Sequence, residues 1–157
     1  MEEWQLGYLA GMIDAECHVG IQREMSTRRK SPAYVIRFEL AMTDRKPVDF
    51  INSIIPNCKI IKVNGKGRRL PYYRLRLTQQ EALDLLKIAL PYVQGKKRQI
   101  EICIELDELR RKHTPSRKHN GMAHFQRLPI EFVEKADILF KEFRSHQLNK
   151  KPRKTNE

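Results

Sequence analysis

Two acidic residues, Asp14 and Glu16, stand where the hydrophobic pattern of the chain changes its period. Upstream, over Glu3 to Ala15, Leu6, Leu9, Met12 and Ile13 recur at helical spacing. Downstream, Cys17, Val19 and Ile21 alternate with His18, Gly20 and Gln22, the period of a strand. Glu16 is thus expected at the C-terminal end of a helix, where the aligned peptide dipoles disfavour negative charge. A carboxylate in that place suits a divalent cation: Mg²⁺ takes one or two protein carboxylates and completes its shell with phosphate oxygens and water. A second unusual cluster, Lys96, Lys97 and Arg98, crowds the start of a later helix against its dipole and suggests an external phosphate. His119 and His124 have no further ligand nearby and read as solvated polar surface, not a zinc site. Cys17, Cys58 and Cys103 lie far apart with no CxxC pair, which fits reduced core thiols and excludes a disulfide scaffold.

The elements that must position these groups follow from periodicity. After the first helix and strand comes a basic turn over 25–32, then the clearest strand in the chain. In it Tyr34, Ile36, Phe38, Leu40 and Met42 point one way, and Val35, Arg37, Glu39 and Ala41 the other. Thr43 or Asp44 is expected to cap a helix that carries Pro47 in its first turn and runs to about Ile55. A second hairpin follows, with Lys59, Ile61 and Val63 alternating with Ile60, Lys62 and Asn64. Its return strand puts Tyr73, Leu75 and Leu77 on one face and Tyr72, Arg74 and Arg76 on the other. Thr78 to Glu81 matches a T-x-x-E capping box opening a helix to about Leu90. Helices are then expected over 96–112 and from Pro129 to near His146, separated by a basic loop.

This order, α-ββ-α-ββ-α with further C-terminal helices, is that of an α+β protein whose antiparallel sheet is covered on one side. At 157 residues it is one domain, expected over 1–148, with a frayed basic tail over 149–157. No run approaches the roughly 18 apolar residues of a membrane span, and no secretion signal opens the chain. It is expected to stay in the compartment of its synthesis, the cytoplasm of a prokaryote or the interior of an organelle. Lys plus Arg number 31 against 19 Asp plus Glu, a net charge of +12 that favours a polyanionic partner. The open sheet face, with Arg37, Lys62, Arg74 and Arg76, suits a β-ribbon along a DNA groove. Gly7, Gly11 and Ala15 form a side-chain-poor stripe at i, i+4 and i+8 of the first helix. Glycine inside a helix costs about 1 kcal/mol relative to alanine, so the stripe calls for close approach by another helix, naturally its copy in a second subunit.

The segment Leu9-Ala10-Gly11-Met12-Ile13-Asp14-Ala15-Glu16 resembles the LAGLIDADG motif of homing endonucleases, matching or conservatively replacing eight successive positions, with Cys17 where the family has glycine. The resemblance extends over the α-ββ-α-ββ-α order, roughly the first 110 residues. It implies a homodimer with a saddle-shaped sheet in each subunit, cutting both strands of a long pseudo-palindromic DNA duplex with Mg²⁺, promoting intron mobility. Mn²⁺ is expected to substitute and Ca²⁺ to support binding without cleavage, with no small-molecule cofactor. By the same resemblance Glu16 is the metal ligand and Asp14 is structural. Asp44 stands where the family has a water-orienting polar residue, and Lys96 or Lys97 where it has a lysine beside the scissile phosphate. His18, Gln22, Arg37, Glu39, Lys62, Asn64, Arg74 and Arg76 are the expected DNA-facing residues of the sheet, joined by Arg28, Arg29, Lys30 and Lys97. Gly7, Gly11 and Ala15 are the expected dimer seam. The alternative is a protein of the same fold that binds nucleic acid without cutting it, an intron RNA maturase or a transcription regulator.

Overall fold

A computed structural model describes residues 1–25, 31–55, 58–65, 67, 70–113 and 128–148. Arg28, Arg29 and Lys30, the loop histidines His119 and His124, and the basic tail all lie outside the described residues. The chain runs α1 (Glu3–Ala15), β1 (His18–Glu24), β2 (Ala33–Met42), α2 (Lys46–Ile54), β3 (Ile60–Val63), β4 (Tyr72–Thr78), α3 (Gln80–Ala89), α4 (Lys97–His113) and α5 (Ile130–Leu148). This is the α+β order expected from periodicity, and no described helix is long and apolar enough to cross a membrane.

The strands form one four-stranded sheet in the order β1-β2-β4-β3, with antiparallel pairing throughout. The two hairpins are therefore joined through β2 and β4, with β1 and β3 at the edges. Their overlap is partial: β2 pairs with β4 from Arg37 opposite Thr78 to Met42 opposite Tyr73, so the two hairpin tips project in opposite directions. One sheet face carries Val19, Ile21, Ile36, Phe38, Leu40, Leu75 and Leu77, all buried against the helices. Leu9 and Ile13 of α1, Val48 and Ile51 of α2, Leu83 and Leu86 of α3, Ile100 and Leu106 of α4, and Phe132 and Phe143 of α5 share this core. Burying each such side chain contributes about 1.5–3 kcal/mol.

Polar contacts at the margin add to the apolar packing of the C-terminal helices. Tyr34 of β2 donates to Asp137 of α5 at 2.6 Å, and Arg23 of β1 reaches the same carboxylate at 3.0 Å. Burial, with the Asp137 hydrogen bond, pushes the Tyr34 hydroxyl up to about 12, so it stays protonated and remains a donor. Arg98 of α4 joins Glu105 of its own helix to Glu142 of α5.

Two local expectations fail. The N-cap of α2 is Arg45, with no side-chain cap bond, and neither Thr43 nor Asp44 takes that place. The T-x-x-E capping box does not form, because Thr78 is the last residue of β4 and pairs with Arg37 instead of capping α3. The turn is made by Gln79, whose backbone (φ 50°, ψ −117°) lies in a region that favours glycine. Its amide still donates to the Ile36 carbonyl at 2.9 Å, and its side chain joins the Tyr34 carbonyl to Arg110. Sheet pairing thus prevails over the local cap.

The strain at Gln79 is open to measurement. Gln79→Ala and Gln79→Gly both delete the side-chain bonds, but only glycine relieves the positive φ. The glycine variant should be more stable than the alanine variant by about 1 kcal/mol or more in urea denaturation, the reverse of their order inside a helix.

Candidate functional site

The end of α1 is held by residues about eighty positions away. Asp14 accepts a hydrogen bond from the Gln94 amide through Oδ2 at 2.9 Å and from the Lys96 amide through Oδ1 at 2.9 Å. The Asp14 carboxylate therefore organises the turn that opens α4. Burial acts to raise its pKa, but the amides of Gln94, Gly95 and Lys96, with the charge of Lys96, outweigh that and hold it below the ordinary aspartate value. Both carboxylate oxygens are engaged in this turn.

Lys96 completes the connection in the other direction. It is buried, and its ammonium donates to the carbonyls of Ile13 at 2.5 Å and Cys17 at 2.7 Å. α1 has no basic residue in its own last turn. Lys96 supplies that missing cation from a distance and satisfies a carbonyl that the helix end leaves without an intrahelical donor. Two expectations change here. The Lys96 ammonium faces the end of α1, not an outside phosphate, because the helix-terminal carbonyls offer it a closer partner. The charge argument for a metal at Glu16 also weakens, since an internal cation already offsets the helix end. Lys97, the next residue, is exposed at the start of α4.

Glu16 itself is the C-cap of α1, exposed, and anchored through its amide to the Met12 carbonyl at 2.9 Å. It is carried between Ile13 and Cys17, the two residues whose carbonyls Lys96 grips. The neighbouring Cys17 is buried in the core, and burial pushes its thiol up to about 12. Among the described residues no cluster of three or more His, Cys, Asp or Glu side chains could hold a metal. Among the described residues, the donor that α1 offers at its end is the exposed Glu16 carboxylate, a hard-oxygen group. That fits Mg²⁺ or Ca²⁺ only where further oxygens come from elsewhere, such as phosphates and a second subunit. Asp44 is exposed, and its Oδ1 accepts from the Lys46 amide at 3.0 Å, a turn that opens α2.

On the open face of the sheet, register places side chains in rows. His18, Glu39 and Arg76 share the row next to Glu16, and Gly20, Arg37 and Thr78 share the following one. Gln22 lies beyond, exposed, towards the tip of the β1–β2 hairpin. On the other side come Ala41, Arg74 and Ile61, then Tyr72 and Val63. The His18 ring lies over Gly20, where a Cβ would meet its Nε2 at 2.7 Å. The face is less basic than the alternation suggests: Arg37 pairs with Glu24 at 3.2 Å, and Arg76 with Glu39 at 2.6 Å. Lys62 is not on this face at all. It stands opposite Tyr73, on the same side as Ile60 and Leu75, while Ile61 and Val63 take the open side. Asn64 lies past the last residue of β3 and is exposed. Glu24, Ile61, Val63 and Thr78 are open-face residues that periodicity missed. β3 carries apolar residues at both parities, so only its pairing with β4 decides its orientation.

The stripe on α1 faces away from its own subunit. Gly7, Gly11 and Ala15 are exposed, and nothing lies within 4 Å of a Cβ placed at either glycine. Trp4 and Tyr8, 66% and 44% exposed, flank the stripe and lean on Phe50 of α2. Packing within the chain therefore does not account for the two glycines.

The helices and the one-sided antiparallel sheet together have the fold of the LAGLIDADG homing endonucleases. By sequence, no protein-family model and no curated protein matches this chain. By structure the likeness covers nearly its whole length. It superposes on the archaeal intron-encoded homing endonuclease I-Vdi141I, complexed with DNA, with a TM-score of 0.70 at 16% identity, over 99% of this chain and 91% of that one. The homing endonuclease I-CvuI, in complex with the I-CreI target in the presence of Mg, gives a TM-score of 0.70 at 14% identity, over 98% and 87%. The I-LtrWI LAGLIDADG homing endonuclease, bound to target DNA, gives 0.60 at 19% identity, over 70% and 38%.

Asp14 makes the clasp between α1 and α4 sensitive to acid. A carboxylate whose folded pKa is depressed adds stability above the ordinary aspartate value of 3.8, and that stability is lost as pH falls through the lowered folded value. Asp14→Asn should cost about 1–3 kcal/mol at neutral pH. In denaturant titrations the gap to wild type should narrow below pH 3.8. A gap independent of pH would show that the charge on Asp14 contributes nothing.

Proposed function

We propose that this chain is a homodimeric, divalent-metal-dependent endonuclease that cleaves both strands of a long pseudo-palindromic DNA duplex and thereby promotes intron mobility. The observation that carries this is the placement of one exposed carboxylate, Glu16, at the end of a helix whose unpacked face ends beside it. Two such helices meeting along Gly7, Gly11 and Ala15 would bring two Glu16 side chains together at a two-fold axis. Each sheet would then lie in a major groove on either side of that axis, with its open face towards the bases.

The roles of the side chains follow from that arrangement. The paired Glu16 carboxylates would hold Mg²⁺ together with phosphate oxygens of the duplex. When bound, such an ion lowers the pKa of water and offsets charge on the leaving oxygen. Lys96 would keep the Glu16 turn rigid from inside, and Lys97 would present positive charge on the outside. Arg74, the open-face arginine outside the two glutamate pairs, is the readiest to meet a phosphate or a guanine edge. Arg37 and Arg76, tied to glutamates, would lose less freedom on binding and would favour base edges over phosphates, since the adjacent carboxylates repel a phosphate.

Glu16→Gln separates binding from chemistry. It should leave duplex affinity in Ca²⁺ unchanged or raised, because two negative charges leave the axis of the dimer. Cleavage in Mg²⁺ should fall by several orders of magnitude. A wild-type protein that binds its duplex without cutting it would instead establish the non-cleaving alternative.

The dimer has its own test. Gly11→Leu should abolish the dimer in light scattering at micromolar concentration, because the new side chain stands where the second helix must come close. Its exposure in the single chain means the subunit should still fold, with wild-type circular dichroism. A wild-type monomer at that concentration would refute the assembly.

A further inference from the structure

The open face divides into two chemically different wings. On the β1–β2 side it carries His18, Gln22, Arg37 and Glu39. On the β3–β4 side, beyond Arg74, it carries Ile61, Val63 and Tyr72. These three are not core residues turned outward by fraying. Their strand neighbours Ile60 and Tyr73 pack against the core from the opposite side, as the pleat requires, and Leu75 opposite Ile60 is fully buried. Ile61 remains 38% exposed, and Val63 and Tyr72 are half-buried. Lys62, the residue of β3 suited to a phosphate, points to the other side.

We propose that Ile61 and Val63, flanked by Tyr72, form an apolar reading element that recognises thymine through its 5-methyl group. This rests on the proposal that the open face lies in the major groove of DNA. In a major groove the thymine methyl is the distinctive apolar group on the base edges; the other edge atoms there are hydrogen-bond donors and acceptors. Two β-branched aliphatic side chains on one face of an edge strand can neither bond those polar atoms nor attract phosphate. They gain free energy only by covering an apolar surface. Continuity selects the occupant: Ile61 stands across from Arg74, in the next row after His18, Glu39 and Arg76, so a duplex that reaches Arg74 covers Ile61 as well. The polar wing would accordingly read donor and acceptor patterns, and the apolar wing would select T·A pairs at the far end of each half-site.

The target sequence need not be in hand for the test. Duplexes selected by the wild-type protein from a random pool in Ca²⁺ are amplified twice, once with thymidine and once with deoxyuridine, which differ only in the 5-methyl group. Wild type should bind the thymine form more tightly, by about fourfold for each methyl contacted. The Ile61→Ser/Val63→Ser double variant removes the apolar side-chain groups and is checked by thermal melting. It should bind both forms alike, and pools selected by it should lose thymine enrichment at those positions. A thymine-to-uracil ratio equal in wild type and variant overturns the apolar element while leaving duplex binding intact. Failure of folded wild type to enrich any duplex overturns the DNA reading and this inference with it.

Discussion

The reciprocal clasp between Asp14 and Lys96 is the interaction on which the candidate site depends. One carboxylate holds the amides that lead into α4, and the Lys96 side chain of that turn reaches back to cap the end of α1. Each partner meets the other element's unsatisfied backbone groups, so the two ends stabilise one another. Lys96 is buried, where an unpaired charge would be costly and a paired one is firmly located. Glu16 is the exposed residue suspended in this clasp. Its position is set by groups that need never touch a substrate.

The sheet adds a second constraint. Because β2 and β4 overlap only in part, the open face is long and offset, with each hairpin tip reaching a different way. Its two glutamate–arginine pairs lower the net charge of a surface that still belongs to a chain of net charge +12. Partly exposed pairs of this kind add little to stability. Their larger effect is on what may approach: a neutralised arginine attracts phosphate less strongly and keeps its guanidinium in a fixed orientation. Most of the chain's excess positive charge is therefore not carried by the described open face.

The bare face of α1 links the two features. Its glycines carry a conformational cost and its aromatic flank is exposed, yet its opposite face is anchored in the core by Leu9 and Ile13. A helix packed well on one side and left smooth on the other is suited to close apposition with a second copy. Such an apposition would place the end of each α1, with its clasp and its carboxylate, beside that of its partner.

Local periodicity determined most of the architecture. The change from helical to alternating spacing at Cys17, the apolar series from Tyr34 to Met42 and the apolar face of Tyr73, Leu75 and Leu77 located the elements and the two faces of β2 and β4. The acid at the end of α1 and the small-residue stripe were legible for the same reason, since both are statements about one helix. Three features were decided only by tertiary structure. The orientation of β3 came from its register against β4, because Ile60, Ile61 and Val63 put apolar residues at both parities. The start of α3 was set by Thr78 pairing with Arg37, a ladder contact that outweighed a local cap. The direction of the Lys96 side chain was set by the carbonyls of Ile13 and Cys17, some eighty residues earlier in the chain. A sequence pattern records which face of an element is apolar; it does not record which distant backbone groups will be left in need of a partner.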